Sequence, residues 1–162
     1  MAADIEPEAA AQTDQHDHET SLLYVIGRVN QGIRREMRTR LARWSLSVQE
    51  FTTLSVLASR PGLSNAQLAR RSLVTPQSMI EILSKLEERG LVQREVDPSH
   101  GRILRAELTK AGREMMREAS PAVLHIQDEM LKRVSARQEE TTLVALLSAM
   151  ESLSQHSRHH DG

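Results

Sequence analysis

Between Ser64 and Thr109 the chain carries two helix-start signals in close succession, then two short strand-like runs around a Pro/Gly turn. Few folds accommodate that order. Ser64-Asn-Ala-Gln67 has the form of a capping box, in which the Ser side chain accepts from a free backbone N–H and the Gln reaches back. Thr75-Pro76 starts a second helix, with Thr as N-cap and Pro at the first helical position, where a missing N–H costs nothing. Gly90 ends that helix. Leu91 to Val96 and Arg102 to Leu108 read as strands. In the turn between them, Asp97-Pro98-Ser99-His100-Gly101-Arg102, Asp97-Pro98 starts a tight loop and Gly101 permits a positive φ. A short helix, a tight turn, a second helix and a hairpin make a winged helix-turn-helix, whose second helix suits the major groove of DNA while its hairpin reaches a neighbouring groove.

The remainder reads as helix, so the expected fold class is mainly α with a small β-hairpin wing, flanked by N- and C-terminal helices. Leu22, Ile26, Val29, Ile33, Met37 and Leu41 recur at helical spacing across 21–43. Ser47-Val-Gln-Glu50 is a further capping box, opening a helix that turns Phe51, Leu54 and Leu57 inward and stops at Arg60-Pro61-Gly62. Thr109 caps a long region with Met115, Met116, Ala119, Val123, Ile126, Met130 and Val134 along one stripe. Ser120-Pro121 predicts a kink or a restart within it. Ser135-Ala-Arg-Gln138 opens a last helix bearing Leu143, Leu146, Leu147, Met150 and Leu153.

Composition narrows the function. The only aromatics are Tyr24, Trp44 and Phe51, so the core must be aliphatic, as helix-on-helix packing allows. The absence of Cys excludes disulfides, thiolate metal sites and thiol redox chemistry. An acidic start without a secretory signal, and no apolar run of membrane length, predict a cytoplasmic protein with no membrane partner. The formal net charge of −1 hides an asymmetry. Residues 1–20 hold six of the 22 acids and no Lys or Arg, leaving 21 basic against 16 acidic residues elsewhere. The folded part then carries about +5, which no longer opposes phosphate binding.

Placed on a helix at 100° per residue, positions 75–89 divide cleanly. Met79, Leu83 and Leu86 share one side with Ile82 on its flank. Gln77, Glu81, Ser84 and Glu88 lie opposite, Ser78 and Lys85 on one border and Ile80 on the other. Gln pairs bidentately with adenine, Glu accepts from cytosine N4, and Ile80 suits a thymine methyl. Lys85 suits a phosphate. On the wing, the Arg102 guanidinium suits a narrow minor groove, where negative potential is enhanced. Asp97 lies close enough in sequence to pair with Arg102 and orient it.

Asp97-Pro-Ser-His-Gly-Arg102, followed by Leu108-Thr109, resembles the wing signature of the MarR family of bacterial transcriptional regulators. Ser84-Lys-Leu-Glu-Glu-Arg-Gly-Leu-Val-Gln-Arg94 is similar to that family's recognition-helix end and first wing strand, and the helix order matches over residues 21–156. The resemblance implies a homodimer joined through its terminal helices and bound to a pseudo-palindromic double-stranded operator. Repression relieved by a small molecule is the usual mode. By position, Thr75, Pro76, Gln77, Ser78, Glu81 and Lys85 would face the major groove, and His100, Gly101 and Arg102 the minor groove. His100 departs from the family pattern, where an acidic or polar residue is common; a histidine there would tie wing contacts to pH, or simply face solvent. The organisation expected is an acidic unfolded tail at 1–20, a dimerisation helix at 21–45, a DNA-binding lobe at 46–108, dimerisation helices at 109–156 and a tail at 157–162.

Tyr24, Trp44 and Phe51 border the region where the family holds effectors, so together with Arg43 as counter-charge they are candidates for a pocket taking a phenolic or carboxylated aromatic ligand. Phe51 as core and Trp44 as a plug between helices is the competing reading. No cofactor and no metal site is expected: five of the seven His lie in polar tails and His125 stands alone on a helix. No nucleophile–base pair, phosphate loop or HExxH pattern points to an enzyme. Two alternatives stay open, a winged helix that binds protein instead of DNA and a metal-dependent sensor.

Overall fold

A computed structural model describes residues 21–159. The expected acidic tail at 1–20 lies outside the described residues, as does the end of the 157–162 tail. Helix α1 (Leu22–Leu41) starts where the Ser21 side chain accepts from the Tyr24 N–H, and runs into a short 3-10 turn, Ala42–Trp44. Helix α2 (Val48–Ser59) carries the expected capping box, with Ser47 Oγ accepting from Glu50 N–H at 3.1 Å and Glu50 Oε2 from Ser47 N–H at 2.7 Å. Strand β1 (Leu63–Ser64), helix α3 (Asn65–Arg71) and helix α4 (Pro76–Glu88) follow. Strands β2 (Val92–Asp97) and β3 (His100–Leu108) form the hairpin, and helices α5 (Lys110–Leu131) and α6 (Ala136–His159) complete the chain.

Three of the helical segments end on a left-handed residue, a geometry that returns the last free carbonyls to backbone N–H groups. Gly90, at φ 67°, lets the Leu91 N–H donate to the Leu86 carbonyl at 2.9 Å. Leu73, at φ 56°, does the same in the turn between α3 and α4, where Val74 N–H reaches Ala69 O at 3.1 Å. Ser45, at φ 52°, closes the 3-10 turn. Only the glycine announced itself in the sequence, because side-chain-bearing residues rarely adopt this conformation.

The sheet has the order β1-β3-β2 and is antiparallel throughout. Its small first strand, unforeseen from sequence, pairs Leu63 with Ala106 and Ser64 with Arg105. Strand β3 starts at His100, earlier than the expected Arg102, because Asp97 pairs with His100 and the turn shrinks to Pro98-Ser99. Gly101 therefore lies in strand and is not among the positive-φ glycines. What closes the turn instead is Asp97 Oδ1, which accepts from Ser99 N–H at 2.8 Å and reverses the chain without a left-handed glycine.

Leu41, Leu54, Leu57, Leu68, Met79, Leu83 and Leu86 are each at most 1% exposed and make one core with Phe51, Val92, Ala106 and Leu108. Each such side chain contributes about 2 kcal/mol in burial. Pro121 sits within α5 without ending it, so of the kink or restart expected there the restart does not occur. Met116, Ala119 and Val123 hold the helix to the core on both sides of the proline, which outweighs the single hydrogen bond lost there. By contacts the chain divides between Val123 and Leu124. In the second part α6 begins with the expected Ser135/Gln138 box and continues past residue 156. Leu143, Val144, Leu146, Leu147, Met150 and Leu153 are all exposed on it. Among the described residues no helix is long and apolar enough to cross a membrane.

Candidate nucleic-acid interface

Helix α4 is fixed at its start by three local devices. Thr75 Oγ1 accepts from Ser78 N–H at 3.1 Å and lies 2.9 Å from Ser78 Oγ, and Pro76 occupies the first turn. Asn65 Nδ2, from the start of α3, donates to Pro76 O at 3.1 Å and so ties the two helices together. The back of α4 is sealed, with Met79, Leu83 and Leu86 fully buried and Ile82 half-buried against the core. The front is open: Thr75, Pro76, Gln77, Ile80, Glu81 and Lys85 are exposed, while Ser78 and Ser84 are half-buried. The wheel division of the sequence is thus reproduced, with Ser84 more covered than expected.

At the other end, Arg89 caps the helix and donates to the carbonyls of Trp44 and Ser45, both at 2.9 Å. A helix-end arginine is expected to favour the negative pole of the helix, but its partners more than forty residues upstream are not readable from local pattern. Glu87, in the last turn, binds Arg94 of β2; the Glu87 hydrogen bond holds the Arg94 guanidinium above its usual range. Arg94 therefore brings less free positive charge to the wing than its side chain suggests.

The wing departs from expectation in one respect. Asp97 does not orient Arg102; its carboxylate Oδ2 instead accepts from Arg105 Nε at 2.8 Å and Nη2 at 2.5 Å. The turn buries Asp97 to 6% exposure, whereas Arg102 is exposed, so the buried carboxylate takes the arginine that lies beside it. Arg102 makes no hydrogen bond or ion pair with any described residue. Gly101 is exposed, and the His100 side chain lies outside the described set. A groove of about 540 Å³ separates α4 from the wing, with Ile80, Leu83, Arg94, Arg102 and Leu104 among its walls.

The four proposed pocket residues are not brought together within one chain. Tyr24 stands about 26 Å along α1 from Leu41, at 1.5 Å per residue. Phe51 is core, 7% exposed. Trp44 packs on the same core, donates its indole N–H to Glu118 Oε2 at 3.4 Å, and has the Arg43 guanidinium stacked 5.3 Å from its ring centroid. Tyr24 is partnered separately, by Arg28. His125 lies 3.4 Å from Glu129 and 4.0 Å from Asp128 on one helix face, and no metal-holding group of three such residues occurs among those described.

An exposed, largely polar face on a capped helix, beside a hairpin whose Arg102 has no partner among the described residues, is the arrangement of a winged helix-turn-helix. Comparison with known proteins agrees. Residues 44–103 match the sequence model of the MarR family. The HTH-type transcriptional repressor Rv2887 of Mycobacterium tuberculosis is 40% identical over 116 residues, covering 72% of this chain and 84% of that protein. The crystal structure of Rv2887 with salicylic acid resembles this fold at 37% identity and a TM-score of 0.65, covering 80% of this chain and 96% of that one. Its structure in complex with DNA does so at 34% identity and a TM-score of 0.66, covering 80% and 98%. The chain belongs to the MarR family of transcriptional regulators.

Proposed function

We propose that the protein is a cytoplasmic, homodimeric, sequence-specific DNA-binding repressor that a small aromatic acid releases from its operator, and that it binds rather than catalyses. The observation that carries this is the division of labour on α4 and the wing: one face packed into the core, the other largely polar and exposed behind a capped start, with Arg102 beside it and without a partner among the described residues. Gln77, Ser78, Ile80, Glu81 and Ser84 would read base edges in the major groove. Thr75, Pro76 and Lys85 would meet the backbone, and His100, Gly101 and Arg102 the minor groove.

The proposed arrangement places residues 46–108 against DNA and uses 21–45 and 109–156 for pairing two copies. Support comes from the exposed apolar residues of those helices, including Leu22, Leu23, Val25, Leu143 and Leu147, which a single chain leaves in water. Two-fold pairing would set one reading helix per half-site of a pseudo-palindrome. Salicylic acid is the ligand in a relative's structure, and an acid of that type is the effector class proposed. A pocket using Tyr24 with Arg43, Trp44 and Phe51 would need Tyr24 from the second copy.

The test is a titration of a labelled duplex from the DNA upstream of the protein's own gene, with and without millimolar salicylate. Binding that weakens steeply with salt and is reversed by salicylate supports the reading. Salt-insensitive or absent binding would favour a winged helix that serves protein partners.

A further inference from the structure

One guanidinium joins three separate elements beneath the wing. Arg105 Nε and Nη2 hold the Asp97 carboxylate at the start of the wing turn. Its Nη1 donates to Gly62 O at 3.1 Å, in the loop before β1, and to Gln67 Oε1 at 3.3 Å, on α3. That same Gln67 Oε1 accepts from Ser64 N–H at 2.9 Å, closing the capping box of α3. The start of α3 is in turn fixed to the start of α4 through Asn65 and Pro76. A continuous chain of hydrogen bonds thus runs from the tip of the wing to the reading helix.

We propose that Arg105 is the positioning residue of the wing: it sets the turn that carries Arg102 at a fixed offset from α4, so that both meet DNA as one rigid surface. Beyond the Ser64–Arg105 pair, where β1 ends, the wing continues as two strands alone, and a two-stranded ribbon is only marginally stable. Charge-assisted bonds to a carboxylate that is 8% exposed are strong and directional, and a buried partner left alone is costly. The planar fork reaches Asp97, Gly62 and Gln67 at once, which a lysine ammonium cannot do. With its donors directed inward, Arg105 contributes geometry and not phosphate neutralisation.

The inference rests on the wing reading of the proposed function, and one experiment separates the two. Binding of the labelled upstream duplex and its salt dependence are measured for the wild type, Arg102→Ala, Arg105→Gln, Arg105→Lys, Asp97→Asn and the double variant Arg102→Ala/Arg105→Gln. Thermal unfolding is recorded for each; the Lys and Asn variants keep side-chain size, so a folding failure of Arg105→Gln leaves the comparison intact. Arg105→Gln, Arg105→Lys and Asp97→Asn should each weaken binding by about 5-fold or more, near the loss for Arg102→Ala. The slope of log K against log salt should fall for Arg105→Gln no further than it does for Arg102→Ala, and the double variant should bind no worse than Arg102→Ala alone. Wild-type affinity in the Arg105 variants, fully additive losses, or a slope for the double variant that lies about 0.9 below that of Arg102→Ala, the value of one more lost phosphate contact, would each overturn it. If Arg102→Ala binds normally, the wing reading itself falls, and the positioning role with it.

Discussion

At the scale of single residues, Arg102 and Leu73 illustrate opposite relations between sequence and structure. Arg102 stands out in the turn pattern, and the structure leaves it exposed and without a partner among the described residues, as the proposed groove contact requires. Replacing it with alanine should weaken operator binding at least several-fold, as read by mobility shift. Leu73 was invisible to pattern: it is 92% exposed and sits at φ 56° in the turn between α3 and α4. A branched side chain there costs about 1–2 kcal/mol, partly offset by the entropy a glycine would lose. Leu73→Gly should therefore raise stability by about 0.5–1 kcal/mol, a melting shift of a few degrees at fixed protein concentration. Leu73→Ala, which keeps the Cβ, should show no such gain.

At the scale of elements, capping governs where helices start and close packing governs how they meet. The Thr75 cap and the Ser47 and Ser64 boxes were legible because each is settled within four residues. Thr75→Ala should cost about 1 kcal/mol in chemical denaturation and loosen the end of α4 that the proposed function sets against DNA. Gly112, in the first turn of α5, carries a constraint of another kind. A Cβ there would lie 2.0 Å from the Leu91 carbonyl oxygen. That oxygen cannot retreat freely, since it accepts from Thr109 N–H at 3.1 Å while Thr109 Oγ1 binds Gly90 O at 2.6 Å. Gly112→Ala should destabilise by about 1–3 kcal/mol, with the denaturation midpoint as readout. Neither this approach nor the unbroken course of α5 through Pro121 follows from local propensity, because both depend on what lies against the helix.

At the scale of the whole molecule, the apolar residues left open on α6 call for a second copy. Leu143→Glu/Leu147→Glu should leave the winged helix folded but shift sedimentation to the monomer. Operator affinity should then collapse toward that of a single half-site. A dimer that persists would move the pairing surface elsewhere.

The sequence by itself determined the order of the helices and the hairpin, the division of α4 into a buried and an exposed face, and the helix starts. Each is set by residues within a few positions of one another, through caps, periodicity and the shapes of Thr, Pro and Gly. Tertiary structure alone decided the partners of the charged side chains that join distant segments. Asp97 binds Arg105 and not Arg102, Arg89 reaches Trp44 and Ser45, and the aromatics disperse between core and helix surface. Ionic and polar partners are chosen by burial and distance across elements, and those quantities exist only after the core of Leu54, Met79 and Leu83 has brought distant segments together.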